Sequence, residues 1–369
     1  MLGYLPSVAA RRSYSLRRKR IEYQRHVTKH YFEFDFGLTD RCNPGDSKSS
    51  QHQKRDLILE KIRVDVDRMS GPGLEVFSDE RVKGCLERIL YLEAVRSPSS
   101  HFSVGLSYLT LPLFLTFLNS YFNGNDMSSG ELMSQVTDEI LEEIEADTYW
   151  CFTKLLQAIH HRYSSKAPIL ENMIVLLEEV IHRVEPLLHQ HLKSYGVEFV
   201  WFSFRWMNCL LVQEMNATCA LRLWDTCICE EQDSTHPFIH TKKTKNKTNI
   251  CGFDSFYVYI CVSLLQKVRQ QILQKQNFED ILGFLQNLPT NLWETDEIEL
   301  LLSQAYVWKS TFHGSERQLL QQALLNSNKN SLQKIRHWPP RKQTSRPDWS
   351  IETLSHVMYD AEGKILLSV

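Results

Sequence analysis

Apolar residues recur along this chain at helical spacing. Phe152, Leu155, Leu156 and Ile159 fall at i, i+3, i+4 and i+7, which puts them on one face of an α-helix. Ile174, Leu177, Ile181, Val184 and Leu188 repeat the stripe, as do Ile260, Leu264, Val268 and Ile272, and then Phe278, Ile281, Leu282 and Leu285. No stretch alternates convincingly at period two, so the pattern predicts an all-α chain of about ten or more helices.

Three stretches break the periodicity. Residues 37–56 are rich in turn formers and charge and read as a flexible loop. Residues 230–252 read as an insertion between two helices. From about Gly314 the apolar pattern weakens, and the tail 314–369, with its HWPPRKQTSRPDWS string, is expected to be disordered. A fourth stretch is unusual in the opposite sense, because Ser97 to Asn125 holds no Asp, Glu, Lys or Arg. Its densest part, Leu106 to Leu118, is shorter than the roughly 20 apolar residues a membrane span needs, and Pro112 interrupts it. It reads as a buried core helix; an integral membrane protein built around residues 105–118 is the rival class.

Composition narrows the field. The chain of 369 residues is 43% hydrophobic and 23% charged, as a protein with a real core is. A formal net charge of −2 supplies no concentrated positive field, so no nucleic-acid partner is expected. Nine scattered cysteines without framework spacing suit a reducing compartment. Residues 1–20 carry six Arg or Lys and no acid, as mitochondrial presequences do. Their continuation through Ile21, Glu22 and Tyr23 reads instead as one amphipathic helix.

Candidate chemistry is sparse. Cys227, Cys229, His236, His240 and Cys251 do not have the C-x₂₋₄-C spacing of structural zinc sites, so neither a metal nor a cofactor is expected. The lysines Lys242, Lys243, Lys245 and Lys247 read as a solvated loop face, with contact to an anionic membrane as the alternative. Ile62, Asp65 and Arg68 stand in an I-x-x-D-x-x-R string; taken alone, Asp65 and Arg68 read as a surface ion pair worth little. Further along come RILYLEAVRSPSS, the uncharged apolar stretch, EADTYWCFTKLL, YGVEFVWFSFRWMNCLL, RLWDT and FLQNLPT, in that order.

This ordered series resembles the TBC domain of Rab GTPase-activating proteins, in the branch of the yeast Golgi Rab-GAP and its animal relatives. The resemblance runs from about Leu2 to Phe312 and implies a domain of two helical lobes over residues 1–313, its start incomplete. It implies a regulator of a GTPase rather than an enzyme in its own right. The partner would be a GTP-bound Rab docked across a groove near Arg68. The location would be cytoplasmic, peripheral at Golgi or endosomal membranes through the Rab.

The family works with two fingers, an arginine from I-x-x-D-x-x-R and a water-orienting glutamine from Y-x-Q. By resemblance Arg68 is the arginine and Asp65 the carboxylate that supports it. Aligned on Gly105, the glutamine position holds Val104 and the tyrosine position Phe102. Valine offers a water neither donor nor acceptor, so catalytic deficiency is the alternative reading. Asp67 is a carboxylate beside Arg68 that could draw the guanidinium from phosphate. Arg205, Trp206, Arg222, Trp224 and Asp225 match strong family positions and are assigned to helix packing, as buried indoles beside Arg–carboxylate pairs.

Overall fold

The computed structural model describes residues 5–6, 8–32, 47–69, 75–96, 105–121, 130–159, 169–233, 253–290, 292–312 and 315–326. These residues are helical, with no strand among them. They divide into two compact units, one within residues 2–163 and one within 164–359.

The first unit holds α1 (Arg12–Val27), α2 (Ser47–Asp67), α3 (Glu80–Arg96), α4 (Leu111–Tyr121) and α5 (Asp138–Ile159). Helix α5 is its centre, and α1, α3 and α4 all pack against it. The stripe Phe152, Leu155, Leu156 and Ile159 is buried there as its spacing predicts. Two carboxylates of α5 are buried and each is met by an arginine. Arg88 of α3 donates to Glu145 at 2.8 and 2.7 Å, and Arg20 of α1 donates to Asp147 at 2.6 Å. Tyr23 completes the Glu145 pair with a hydroxyl donated at 2.6 Å. A buried carboxylate is costly unless its oxygens are filled, so these contacts fix how α1 and α3 lie on α5.

The second unit holds α6 (Ile169–Val184), α7 (Pro186–Ser194), α8 (Val200–Asn208), α9 (Ala217–Asp233), α10 (Phe253–Lys267), α11 (Arg269–Leu273), α12 (Phe278–Gln286), α13 (Thr295–Phe312) and α14 (Glu316–Asn326). Helix α10 is its axis. Every residue from Phe253 to Leu265 is buried, and α6, α9 and α13 surround it. Between α8 and α9 the chain turns sharply, with Leu210 and Leu211 at φ of 50° and 59°. Two consecutive leucines in the left-handed region are strained. The surroundings hold them there: both are buried, Leu211 donates its amide to the Trp206 carbonyl at 3.1 Å, and the Leu210 carbonyl accepts the Trp224 indole N–H at 3.1 Å.

Several boundaries differ from the sequence expectation. Helix α2 begins at Ser47, inside the expected loop 37–56, because nothing between Ser47 and Asp67 is a Gly or Pro; residues 37–46 lie outside the described residues. Residues 230–233 of the expected insertion extend α9. Glu230 is buried there, accepts the Tyr306 hydroxyl at 2.7 Å and pairs with Lys309, a partner remote in sequence. Residues 316–326 of the expected disordered tail form α14, which packs on α6 through Leu319, Leu320 and Ala323, a stripe too short to register by periodicity. Pro186 opens α7, where its missing N–H costs nothing, and so divides the Ile174–Leu188 stripe between two helices. Residues 234–252 and 327–369 lie outside the described residues.

Within the uncharged stretch a 3-10 segment, Leu106–Thr110, leads into α4, with Pro112 in the first turn of that helix. Its apolar residues are core, as expected: Leu106, Leu109, Leu111, Phe114 and Leu118 are buried. No helix among the described residues is long and apolar enough to cross a membrane.

Replacing Trp224 with Phe keeps an aromatic ring but leaves the buried Leu210 carbonyl without its donor. Equilibrium urea unfolding of Trp224→Phe is expected to show a loss of about 1–3 kcal/mol, the usual cost of an orphaned buried acceptor.

Candidate functional site

The site is built at the C-terminal end of α2. Arg63 clamps this helix to α3, its guanidinium donating to Glu87 at 2.9 Å through both Nε and Nη2, while the Tyr31 hydroxyl donates to the same carboxylate at 2.7 Å. Burial and the Glu87 charge push the Tyr31 pKa up to about 12, so that hydroxyl stays a donor at neutral pH. Leu59, Ile62, Val66 and Met69 are buried, so the apolar face of α2 continues to the helix end.

Asp65 lies on that buried face and is fully enclosed. It is not the surface ion-pair partner of Arg68 that its spacing suggests when read alone. Its Oδ1 accepts the Gly105 amide at 2.9 Å. Its Oδ2 accepts the Ser107 hydroxyl at 2.7 Å, with the Gly105 and Ser107 amides at 3.0 and 3.3 Å. Burial raises the Asp65 pKa, and these donors, with the Arg68 charge, oppose the shift. The carboxylate therefore pins the start of the Leu106–Thr110 turn against the end of α2. Gly105 sits at φ 92°, where a side chain is strained, and this lets its amide face the carboxylate.

Arg68 follows the last residue of α2 and is half-buried. Its backbone carbonyl accepts the Tyr108 hydroxyl at 3.0 Å. The α2 end and the turn are thus joined twice, through the Asp65 side chain and through the Arg68 carbonyl. Asp67 does not act as the sequence suggested. Its carboxylate meets Lys83 at 3.2 Å, since one helical step turns it well away from its neighbours. Leu57, Lys61 and Val64 share one exposed stripe of α2 that leads to Arg68.

Phe102 and Val104, the positions assigned to the second finger, lie within residues 97–104, outside the described residues. So do His236, His240 and Cys251, whereas Cys227 is buried in α9 and Cys229 is exposed. Among the described residues no group of three or more His, Cys, Asp or Glu could hold a metal ion. Ser107 and Tyr108 were not singled out from sequence; polar residues inside an apolar run were the available signal.

The remaining family-matched residues lie in α8 and α9. Trp206 and Trp224 are buried. Arg205 donates to the buried Glu214 at 2.7 Å and also to the Gln286 carbonyl. Arg222 donates to Glu299 at 2.7 and 3.1 Å. Asp225 is exposed, so the carboxylate beside Arg222 comes from α13 rather than from the RLWD string itself.

The Rab-GTPase-TBC domain family matches residues 26–273, more than half of the chain. The chain belongs to this family. The chain is 34% identical over 311 residues to TBC1 domain family member 22A of Macaca fascicularis, covering 84% of this chain and 55% of that protein. It is 35% identical over 315 residues to the GTPase-activating protein gyp1 of Schizosaccharomyces pombe, covering 85% and 54%. It therefore spans about half the length of these relatives. The crystal structure of the Ypt/Rab-GAP domain of Gyp1p is 30% identical with a TM-score of 0.67, covering 84% of this chain and 86% of that one. The two-unit, all-helical TBC fold is thus supported by sequence and by structure.

Changing Asp65 to Asn keeps the volume but aims an amide N–H₂ at donors that already point inward. Asp65→Asn is expected to cost about 1–3 kcal/mol in denaturant unfolding, the usual penalty for unmatched buried polar groups. The conservative Asp65→Glu, too long for the same pocket, should not restore it.

Proposed function

We propose that this chain accelerates GTP hydrolysis by a Rab-family GTPase in its GTP-bound form, with Arg68 supplying positive charge to the transferring phosphoryl group. The observation that carries this reading is the setting of Arg68. It is an arginine at a helix end whose backbone is held by Tyr108 and whose supporting turn is held by Asp65, in a chain of the TBC family. Two relatives are named GTPase-activating proteins, and the solved domain is titled a Ypt/Rab-GAP domain. A held backbone beneath a half-buried arginine suits a group that has to arrive in one geometry. Phosphoryl transfer is catalysed by positioning and charge, and a planar guanidinium can meet two oxygens at once.

The chain is then a regulator: GTP and water react on the Rab, and the chain contributes an arginine. Asp65 acts through the backbone, as a positioning residue. The exposed stripe Leu57, Lys61 and Val64 lies in line with Arg68 and serves as part of the docking surface. The location proposed is the cytoplasmic face of Golgi or endosomal membranes, reached peripherally through the Rab.

A second reading, a Rab-binding regulator that barely stimulates hydrolysis, is favoured by one observation. Val104 stands where the family's water-orienting glutamine is expected, and a valine side chain cannot hold a water.

Arg68→Ala is expected to lower stimulated Rab-GTP hydrolysis by about 10² or more, in line with an arginine finger's usual worth, with helicity unchanged and Rab binding retained. Val64→Asp should instead weaken binding. Parental stimulation by Arg68→Ala across a Rab panel removes the finger assignment.

Rebuilding the second finger separates the two readings. Val104→Gln together with Phe102→Tyr is expected to raise hydrolysis about tenfold or more, since a correctly placed group commonly contributes that much. The gain should vanish in an Arg68→Ala background, because both groups act on one transition state.

A further inference from the structure

Helix α1 has two faces with different partners. Its inner face carries Tyr23 and Val27, both buried, and Arg20, whose guanidinium is spent on Asp147 and Glu143. Lys19 lies over the Trp150 ring at 4.2 Å, and its carbonyl accepts the Trp150 indole N–H at 2.9 Å. All of these contacts fasten α1 to α5.

The outer face holds Tyr14, Arg18, Ile21 and Arg25, at i, i+4, i+7 and i+11, directly opposite the inner stripe. Arg17 flanks it. Tyr14 is 73% exposed, Ile21 48% and, at the end of the following π-helical turn, Phe32 48%. Among the described residues Arg17, Arg18 and Arg25 make no ion pair. Between Ala9 and Phe32 the chain carries eight Arg or Lys against the single acid Glu22, in a protein whose net charge is −2. The positive charge is local, and it is interleaved with apolar side chains that the described residues leave exposed.

We infer that the outer face of α1 is a docking surface for anionic phospholipid headgroups, with Arg17, Arg18 and Arg25 supplying charge and Tyr14, Ile21 and Phe32 entering the interface. The chemistry favours a bilayer over an acidic protein. A bilayer accepts a straight helix along its whole length, takes arginines at headgroup level and receives tyrosine and isoleucine just below. An acidic protein surface would match the arginines but would have to offer an apolar slot at each of the intervening positions. A helix of 16 residues is also long enough to engage several headgroups at once. This surface shares no residue with the Arg68 site, and its chemistry needs no Rab.

The test is vesicle sedimentation of the full chain without any Rab, using phosphatidylcholine vesicles with and without phosphatidylserine. The chain is expected to sediment with the mixed vesicles and not with pure phosphatidylcholine, and to be released as salt rises. The combined change Arg17→Glu, Arg18→Glu and Arg25→Glu should reduce partitioning by at least about a hundredfold, since each basic residue near such a surface contributes several-fold. These side chains are exposed, and circular dichroism should show the fold intact. Tyr14→Ser with Ile21→Ser should reduce partitioning several-fold while leaving the salt dependence in place. In a Tyr14→Trp variant, indole emission should move to the blue on mixed vesicles only. Equal sedimentation with both vesicle types, or parental binding by the triple variant, overturns the proposal. Absence of vesicle binding, with poly-glutamate bound by the parent and lost in the triple variant, also overturns it and assigns the face to an acidic protein.

Discussion

A single buried carboxylate joins the two segments on which the site depends. Asp65 has no solvent to fall back on, so its oxygens must be filled by protein donors, and those donors come from Gly105 and Ser107, about forty residues further along the chain. An unfilled Asp65 would be among the costliest errors this unit could contain. The end of α2 and the turn before α4 therefore form together or not at all. Arg68 inherits its place from that constraint: it directly follows the helix that Asp65 anchors, and its carbonyl is held by the same turn through Tyr108. The residue is half-buried, on a backbone that the turn holds.

The same device recurs through both units. Glu145 and Asp147 are met by Arg88 and Arg20, Glu214 by Arg205, and Glu230 by Lys309 and Tyr306. Each of these four acids is paired, and three of the four pairs join elements distant in sequence. Such pairs add little net stability over an apolar packing of equal volume, yet breaking one is expensive. They act as registration marks, penalising helices that pack at the wrong height or rotation.

Much of this was legible in the chain. The stripes on α6 and α12 are strong periodic signals because those helices bury one face more deeply than the other, whereas α5, at the centre of its unit, has no exposed residue from Ile144 to Leu156. The I-x-x-D-x-x-R string located Asp65 and Arg68, but spacing could not reveal which way Asp65 points. Its partners are the Gly105 and Ser107 amides, which have no signature in a sequence, and the Ser107 hydroxyl. Ser107 and Tyr108 were hidden because they stand inside an apolar run. Helix α14 was missed because its buried stripe, among the described side chains, is Leu319, Leu320 and Ala323. The start of α2 was missed because a charged, serine-rich first turn looks like a loop until its C-terminal half supplies the packing. Glu214 and Glu299 could not be assigned to their arginines, since charge complementarity across nine or seventy-seven residues is invisible without the fold.

Helix α10 has a consequence for how the second unit is made. Buried from Phe253 to Leu265, it has no wet face, so it cannot persist as an isolated amphipathic helix. It must be received by helices on every side. Helices α6 and α9 precede it in the chain, but α13 follows it. As the polypeptide is synthesised, a helix made to be buried therefore emerges into a half-built trough and stays uncovered along one flank until Phe312 has been added. That interval is when the unit is most open to off-pathway association. It makes the last helices, far from Arg68 in sequence, decisive for whether any folded protein accumulates.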